Sequence, residues 1–172
     1  TATAAEGSTF TGWTNCPTPA GNQCTVTMNA PATITASFAL ATANPAFPDF
    51  NADGKPDIIW SNTASGATYI WRMNGPALLS DSFYATIDPS WKIQGVADFN
   101  GDGHPDVVWR NTANGACYVW YTVNGVFTGT DAFLFSLPPE WVIQGVADFN
   151  QDGKPDFLMR NATSGNAFAW FF

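Results

Sequence analysis

Apolar and polar positions alternate in short runs along the whole chain, and from residue 58 onward the runs recur. Ile58-Ile59-Trp60, Val107-Val108-Trp109 and Phe157-Leu158-Met159 are short apolar stretches. A polar turn follows each, at 62–66, 111–115 and 161–165, and then an alternating stretch at 68–71, 117–120 and 167–170. Alternation with period two is the mark of a half-buried strand. Asn74-Gly75 and Asn124-Gly125 predict hairpin turns leading to further strands around 83–87 and 133–137. Trp91-Lys92-Ile93-Gln94-Gly95-Val96-Ala97 reappears as Trp141-Val142-Ile143-Gln144-Gly145-Val146-Ala147. Four short strands in a unit of about 50 residues predict an all-β protein built from blade-like repeats of a β-propeller type. Closed propellers need about four to eight blades. One complete unit here stands between two incomplete ones, so the expected array is partial or open. A small β module over 1–40, a linker over 41–48 and repeats over 49–172 complete the expected organisation. Pro45 and Pro48 suit a linker or a sheet edge, not a central strand.

A nine-residue acidic loop precedes each apolar stretch, with starts 49 and 50 residues apart. The first carries Asp49, Asn51, Asp53, Gly54 and Asp57; the second Asp98, Asn100, Asp102, Gly103 and Asp106; the third Asp148, Asn150, Asp152, Gly153 and Asp156. Side-chain oxygens thus stand at loop positions 1, 3, 5 and 9, with glycine at 6. Ca²⁺ takes six to eight oxygen ligands at about 2.3–2.6 Å. The Asp-x-Asn-x-Asp string offers three of them from one turn, and glycine permits the sharp bend. Position 7, occupied by Lys55, His104 and Lys154, can add its carbonyl, and the aspartate at 9 closes the shell with both oxygens. Three Ca²⁺ sites are the expectation, against the alternative of metal-free Asx turns that crowd three carboxylates together.

Nine of the 14 acidic residues lie in these loops, so most of the net charge of −8 is ligand charge. Six Lys and Arg are scattered without a basic patch, which argues against nucleic acid. Low charge, 26 aromatics (8 Trp, 14 Phe, 4 Tyr) and abundant Gly and Pro agree with an all-β chain. No stretch reaches the roughly 20 apolar residues of a membrane-spanning helix. Thr1 as first residue is the expected start of a mature or cut product.

The loop, the apolar strand after it and the Asn-x-x-x-Gly turn together resemble the FG-GAP/VCBS-type repeats of bacterial secreted proteins and integrin-like propellers, over residues 45–172. That resemblance implies that the loop joins the first two strands of a blade and clamps Ca²⁺ through positions 1, 3, 5 and 9 and the carbonyl of 7. Residues 1–40 differ in kind. Phe10-Thr11-Gly12-Trp13, Cys24-Thr25-Val26-Thr27-Met28 and the alternating run 32–38 resemble the C-terminal part of a divergent internalin-type B-repeat of bacterial surface proteins. Cys16 and Cys24 flank a short Pro/Gly/Asn-rich loop that closes readily as a disulfide in an oxidising compartment; the alternative is a pair of metal thiolates. Cys117, whose repeat equivalents are Thr68 and Ala167, reads as a small buried strand residue.

No catalytic constellation emerges. His104 is the only histidine and is lysine in the other two loops. Asp88 and Glu140 fall in Pro-containing linkers where turn roles prevail; with Asp81 and Asp131 they form no glycosidase-like pair. Trp71, Trp120 and Trp170 read as core layers in preference to sugar platforms. The functional expectation is an extracellular structural or adhesive protein, non-enzymatic and stiffened by Ca²⁺. Self-association through terminal strands, head to tail into a fibre, is expected, with missing strands removed from a longer chain as the equal alternative. A carbohydrate- or protein-binding propeller, or a non-catalytic domain of a larger secreted protein, are the competing readings.

Overall fold

A computed structural model describes residues 1–3, 8–27, 29, 31–40 and 47–172. Among these residues all regular secondary structure is β, in five small antiparallel sheets of two to four strands, none of them closed. The chain divides into two compact units, Thr1–Ala43 and Asn44–Phe172. Most of the linker expected over 41–48 falls on residues 41–46, outside the described residues.

In the first unit β1 (Ser8–Thr14) pairs with β4 (Thr35–Leu40), and β2 (Thr18–Ala20) with β3 (Gln23–Thr25). A bulge between Phe10 and Gly12 keeps Phe10 opposite Phe38, whose rings meet edge to face at 5.8 Å. The strand expected over 24–28 ends at Thr25, and Met28 lies outside the described residues; the strand expected over 32–38 begins at Thr35. β2 was hidden because Pro19 reads as a strand breaker, yet in a two-stranded ribbon it needs no second ladder.

The second unit repeats one hairpin plan. β5 (Ile58–Ser61), β6 (Ala67–Asn74) and β7 (Ala77–Thr86) form one three-stranded sheet. β8 (Trp91–Ala97), β9 (Asp106–Asn111), β10 (Ala116–Val123) and β11 (Val126–Ser136) form a four-stranded one. β12 (Trp141–Ala147), β13 (Asp156–Asn161) and β14 (Ala167–Trp170) form the third. These are a complete blade between two partial ones: the first without the Trp-x-Ile-Gln-Gly strand, the third with no fourth strand. The fourth strands, β7 and β11, start well before the expected residues 83 and 133. Bulges between Arg72 and Met73 and between Trp120 and Thr122 break the alternation that a sequence pattern can register.

Turn chemistry follows the residues. Val123 pairs with Val126, and the two residues between them, Asn124 and Gly125, both have positive φ, 52° and 74°; this is the I′ hairpin turn. In the first blade Asn74 pairs with Ala77, so the turn residues are Gly75 and Pro76 instead of the expected Asn74 and Gly75. Proline cannot take positive φ, so Gly75 alone carries it, at 59°. Gly66 and Gly115 meet a double demand. Both have positive φ, and a Cβ would lie 1.8 Å from Ile87 O or 1.9 Å from Leu137 O, the carbonyls of residues that follow the fourth strands.

The core lies between blades. Phe50, Ile70 and Ile87 of the first meet Val107 and Trp109 of the second; Val108, Cys117, Phe135 and Leu137 of the second meet Ile143, Phe157 and Met159 of the third. Gly95 of β8 faces β12 so closely that a Cβ would stand 2.4 Å from Val146 Cγ2. Arg110 fastens the second junction, donating through Nη1 to Trp141 O (2.7 Å) and through Nη2 to Leu137 O (3.2 Å) and Pro138 O (3.0 Å).

Candidate functional site

Each acidic loop joins the first strand position of a blade to the second, at 98–106 between β8 and β9 and at 148–156 between β12 and β13. Within the loop the carboxylate at position 1 gathers backbone amides. Asp49 accepts from Asp53 N (3.1 Å) and Gly54 N (2.8 Å). Asp98 accepts from Asp102 N (3.1 Å) and Gly103 N (2.7 Å), and Asp148 from Asp152 N (3.1 Å) and Gly153 N (2.8 Å). The amide oxygen at position 3 accepts from the same position-5 N–H, at 3.2, 3.0 and 3.0 Å for Asn51, Asn100 and Asn150. Position 5 in turn accepts from the N–H of position 7, on Lys55, His104 and Lys154, at 2.8–2.9 Å. Three oxygen-bearing side chains are thereby wound around one turn. Positive φ at position 6 was legible as glycine; positive φ at position 4, on Ala52, Gly101 and Gln151, was not.

Position 9 is different. Asp57, Asp106 and Asp156 are buried, while Asp53, Asp102 and Asp152 are exposed. One oxygen of each buried aspartate accepts from the N–H of position 2, on Phe50, Phe99 and Phe149, at 2.8–2.9 Å. The other accepts from an amide at the far end of the third strand, Met73 N (2.8 Å) and Thr122 N (2.9 Å), or in the third blade just past it, Phe172 N (3.1 Å). Thr122 adds a hydroxyl hydrogen bond to Pro105 O. Position 9 is therefore a clasp that ties the loop entrance to its own blade. The sequence reading missed its partners, which act through backbone N–H groups that carry no residue signature.

Two acids, one in the second loop and one in the third, are shifted in opposite directions. Burial pushes Asp106 up to about 6, partly offset by the amides of Thr122 and Phe99, with the Asp102 and Asp98 charges adding to the rise. The exposed Asp152 is held below the ordinary carboxylate range by the Lys154 amide and the Asn150 side chain. Among the described residues no three His, Cys, Asp or Glu side chains converge as a ready metal cluster. In each loop the acids at 1 and 5 turn onto backbone amides and the acid at 9 onto the clasp. The donor set itself, all oxygen with an amide oxygen between two carboxylates, fits a hard cation. Hydrogen bonding from backbone amides is the usual support of a ligating carboxylate.

Elsewhere, Cys16 and Cys24 form a disulfide with Cα atoms 5.9 Å apart. Cys117 is a buried free thiol, and burial pushes it up to about 11. Asp88 accepts from Ser90 N at 2.8 Å, the turn role expected of it. Of the tryptophans expected in core layers, Trp120 packs half-buried against the first junction, while Trp170 is 43% exposed and stacks on Phe135 at 5.0 Å.

Residues 98–159 match the FG-GAP-like repeat family, and residues 1–42 match the divergent InlB B-repeat domain. The chain thus carries a B-repeat module followed by an FG-GAP-like repeat, two kinds of β domain typical of extracellular or surface proteins and typically non-catalytic. No curated protein and no solved structure matches it significantly. Among the described residues no helix is long and apolar enough to cross a membrane.

Proposed function

We propose that this chain is a calcium-stiffened, non-catalytic repeat segment of a secreted or surface protein, with a structural or adhesive role. The observation that carries the reading is the threefold recurrence of one loop geometry, with the bonds of positions 1, 3, 5 and 9 to the same backbone N–H positions within each loop. In this reading Asp49, Asn51, Asp53, Asp57 and the Lys55 carbonyl hold one ion. Asp98, Asn100, Asp102, Asp106 and the His104 carbonyl hold the second; Asp148, Asn150, Asp152, Asp156 and the Lys154 carbonyl hold the third. Calcium would supply the positive charge that the nine loop carboxylates lack, so its binding free energy adds to folding free energy. Calorimetric titration with CaCl₂ on chelator-treated protein tests this, with three ions per chain expected. A thermal scan should fall with excess EDTA and recover when Ca²⁺ is restored. An unchanged scan and no heat of binding would remove the calcium reading.

A further inference from the structure

Four Asn-Gly pairs stand in this chain, at 74–75, 100–101, 114–115 and 124–125. In such a pair the glycine nitrogen can attack the side-chain carbonyl carbon of the asparagine. No side chain shields that nitrogen, and glycine reaches the backbone conformations that ring closure needs. The fold treats the four pairs differently. Gly115 is buried, its nitrogen donates to Asn111 O at 2.9 Å, and a Cβ there would meet the Leu137 carbonyl. Gly125 is buried too; a Cβ there would meet Ile70, Arg72 and Phe50, and Asn124 O accepts from Arg72 Nη2 at 3.1 Å. Asn74 and Gly75 are exposed at a hairpin tip. Asn100 and Gly101 are also exposed, but they occupy positions 3 and 4 of the second acidic loop.

Comparison of the three loops shows what the turn itself requires at position 4. The residue is Ala52 in the first, Gly101 in the second and Gln151 in the third, with φ of 57°, 76° and 62°. The backbone conformation is shared, so glycine is not a condition for it. Gly101 N donates to Asp98 Oδ1 at 2.7 Å. The Asn100 carboxamide is held by two hydrogen bonds, both to Asp102. Its Oδ1 accepts from Asp102 N and its Nδ2 donates to Asp102 Oδ2, each at 3.0 Å. Both bonds are exposed, and the net worth of a hydrogen bond is small where water competes for it. The metal-free loop therefore releases this side chain readily.

We propose that Asn100 is a modification site whose deamidation is controlled by calcium occupancy of the second loop. The inference rests on the calcium reading of the loops. Gly101 N bonds to Asn100 Cγ, the Cγ–Nδ2 bond breaks, and ammonia leaves with the proton that Gly101 N gives up. Water then opens the cyclic imide. Opening at one carbonyl leaves aspartate at 100; opening at the other leaves isoaspartate, whose main chain runs through the side-chain carbon. With Ca²⁺ bound, Asn100 Oδ1 is a ligand, and ring closure requires it to leave the ion. Closure then proceeds only from the open loop, whose population falls by the factor 1 + [Ca²⁺]/Kd. Isoaspartate lengthens the main chain between positions 3 and 5, so Asp98 and Asn100 no longer converge with Asp102. The second loop loses its ion for good, while the first and third, with Ala52 and Gln151, keep theirs.

The test incubates the full chain at mildly alkaline pH in excess CaCl₂ or in EDTA and follows each asparagine by peptide mapping with mass spectrometry. Asn100 should convert in EDTA and slow about 100-fold at a Ca²⁺ concentration of about 100 times Kd. Asn51 and Asn150 should stay intact in both. Asn114, guarded by its blade, should convert more slowly than Asn100 in EDTA, which separates loop opening from global unfolding. Gly101→Ala copies the first loop, its Cβ meets nothing within 4 Å, and it should abolish conversion at Asn100. Protein converted to isoaspartate should bind two ions per chain instead of three in a calorimetric titration. Intact Asn100 in EDTA overturns the proposal, as does conversion no faster than that of Asn114. Equal rates with and without Ca²⁺, in protein that titrates with calcium, overturn it and leave the calcium reading standing. Absence of any heat of binding removes both.

Discussion

Cys117 has no exposed surface, and its thiol is pushed up by burial to about 11. The reactive species is the thiolate, so at pH 8 the group is held as thiol and shielded as well. A disulfide-exchange reagent such as DTNB should leave it unlabelled in the native protein and label one thiol per chain in denaturant. The three turn glycines give a second test at this scale. Gly66, Gly115 and Gly165 all have positive φ, but only the first two press against a carbonyl. Gly115→Ala adds a clash to a backbone penalty and should cost about 2–5 kcal/mol. Gly165→Ala meets only the penalty, about 1–2 kcal/mol. Urea midpoints of the two variants decide it. The glycines were legible as turn formers, whereas the difference between them was not, because it is set by strands about 20 residues further along.

The clasp belongs to the scale of the element. Asp106 holds Phe99 N and Thr122 N, and so closes the loop, β9 and the end of β10 into one knot. Asp106→Asn keeps the size but turns an NH₂ group toward one of two buried donors, which should destabilise by about 1–3 kcal/mol. Hydrogen exchange at the Thr122 amide should then accelerate, a local effect that Asp102→Ala, on an exposed acid, should not reproduce. The four-strand plan was readable because period-two alternation survives in strands such as β10. The early halves of β7 and β11 were not, since Ser80-Asp81-Ser82 and Thr128-Gly129-Thr130-Asp131 are polar and the strands are bulged. Donor positions 1, 3 and 5 were likewise open to inspection as oxygen-bearing side chains. The clasp partners were not, for Met73 and Phe172 contribute nothing except a peptide N–H.

At the scale of the molecule the disulfide and the proposed calcium sites fall in different compact units. The disulfide closes a short loop within Thr1–Ala43, and the acidic loops lie within Asn44–Phe172. Reduction should therefore destabilise the first unit by about 2–3 kcal/mol and leave the second unit's melting unchanged, while EDTA should do the reverse. Differential scanning calorimetry with each reagent alone and both together separates the two effects. The FG-GAP-like segment was recognisable because loop, strand and turn recur in fixed order, and the B-repeat segment because Phe10-Thr11-Gly12-Trp13, Cys24-Thr25-Val26-Thr27-Met28 and the run 32–38 follow one another in order. How successive blades touch could be learned only from the coordinates. Gly95 leaves a gap on one blade that Val146 of the next fills. The strand of the third blade repeats the same glycine and valine, as Gly145 and Val146, so it carries the plug for the blade before it and again the residue that forms a socket. Copy number is then a free variable for this architecture. Unequal recombination that duplicates a module of about 50 residues carrying such a strand would reproduce the Gly95–Val146 joint, so a longer array could grow from it without a new interface having to be invented.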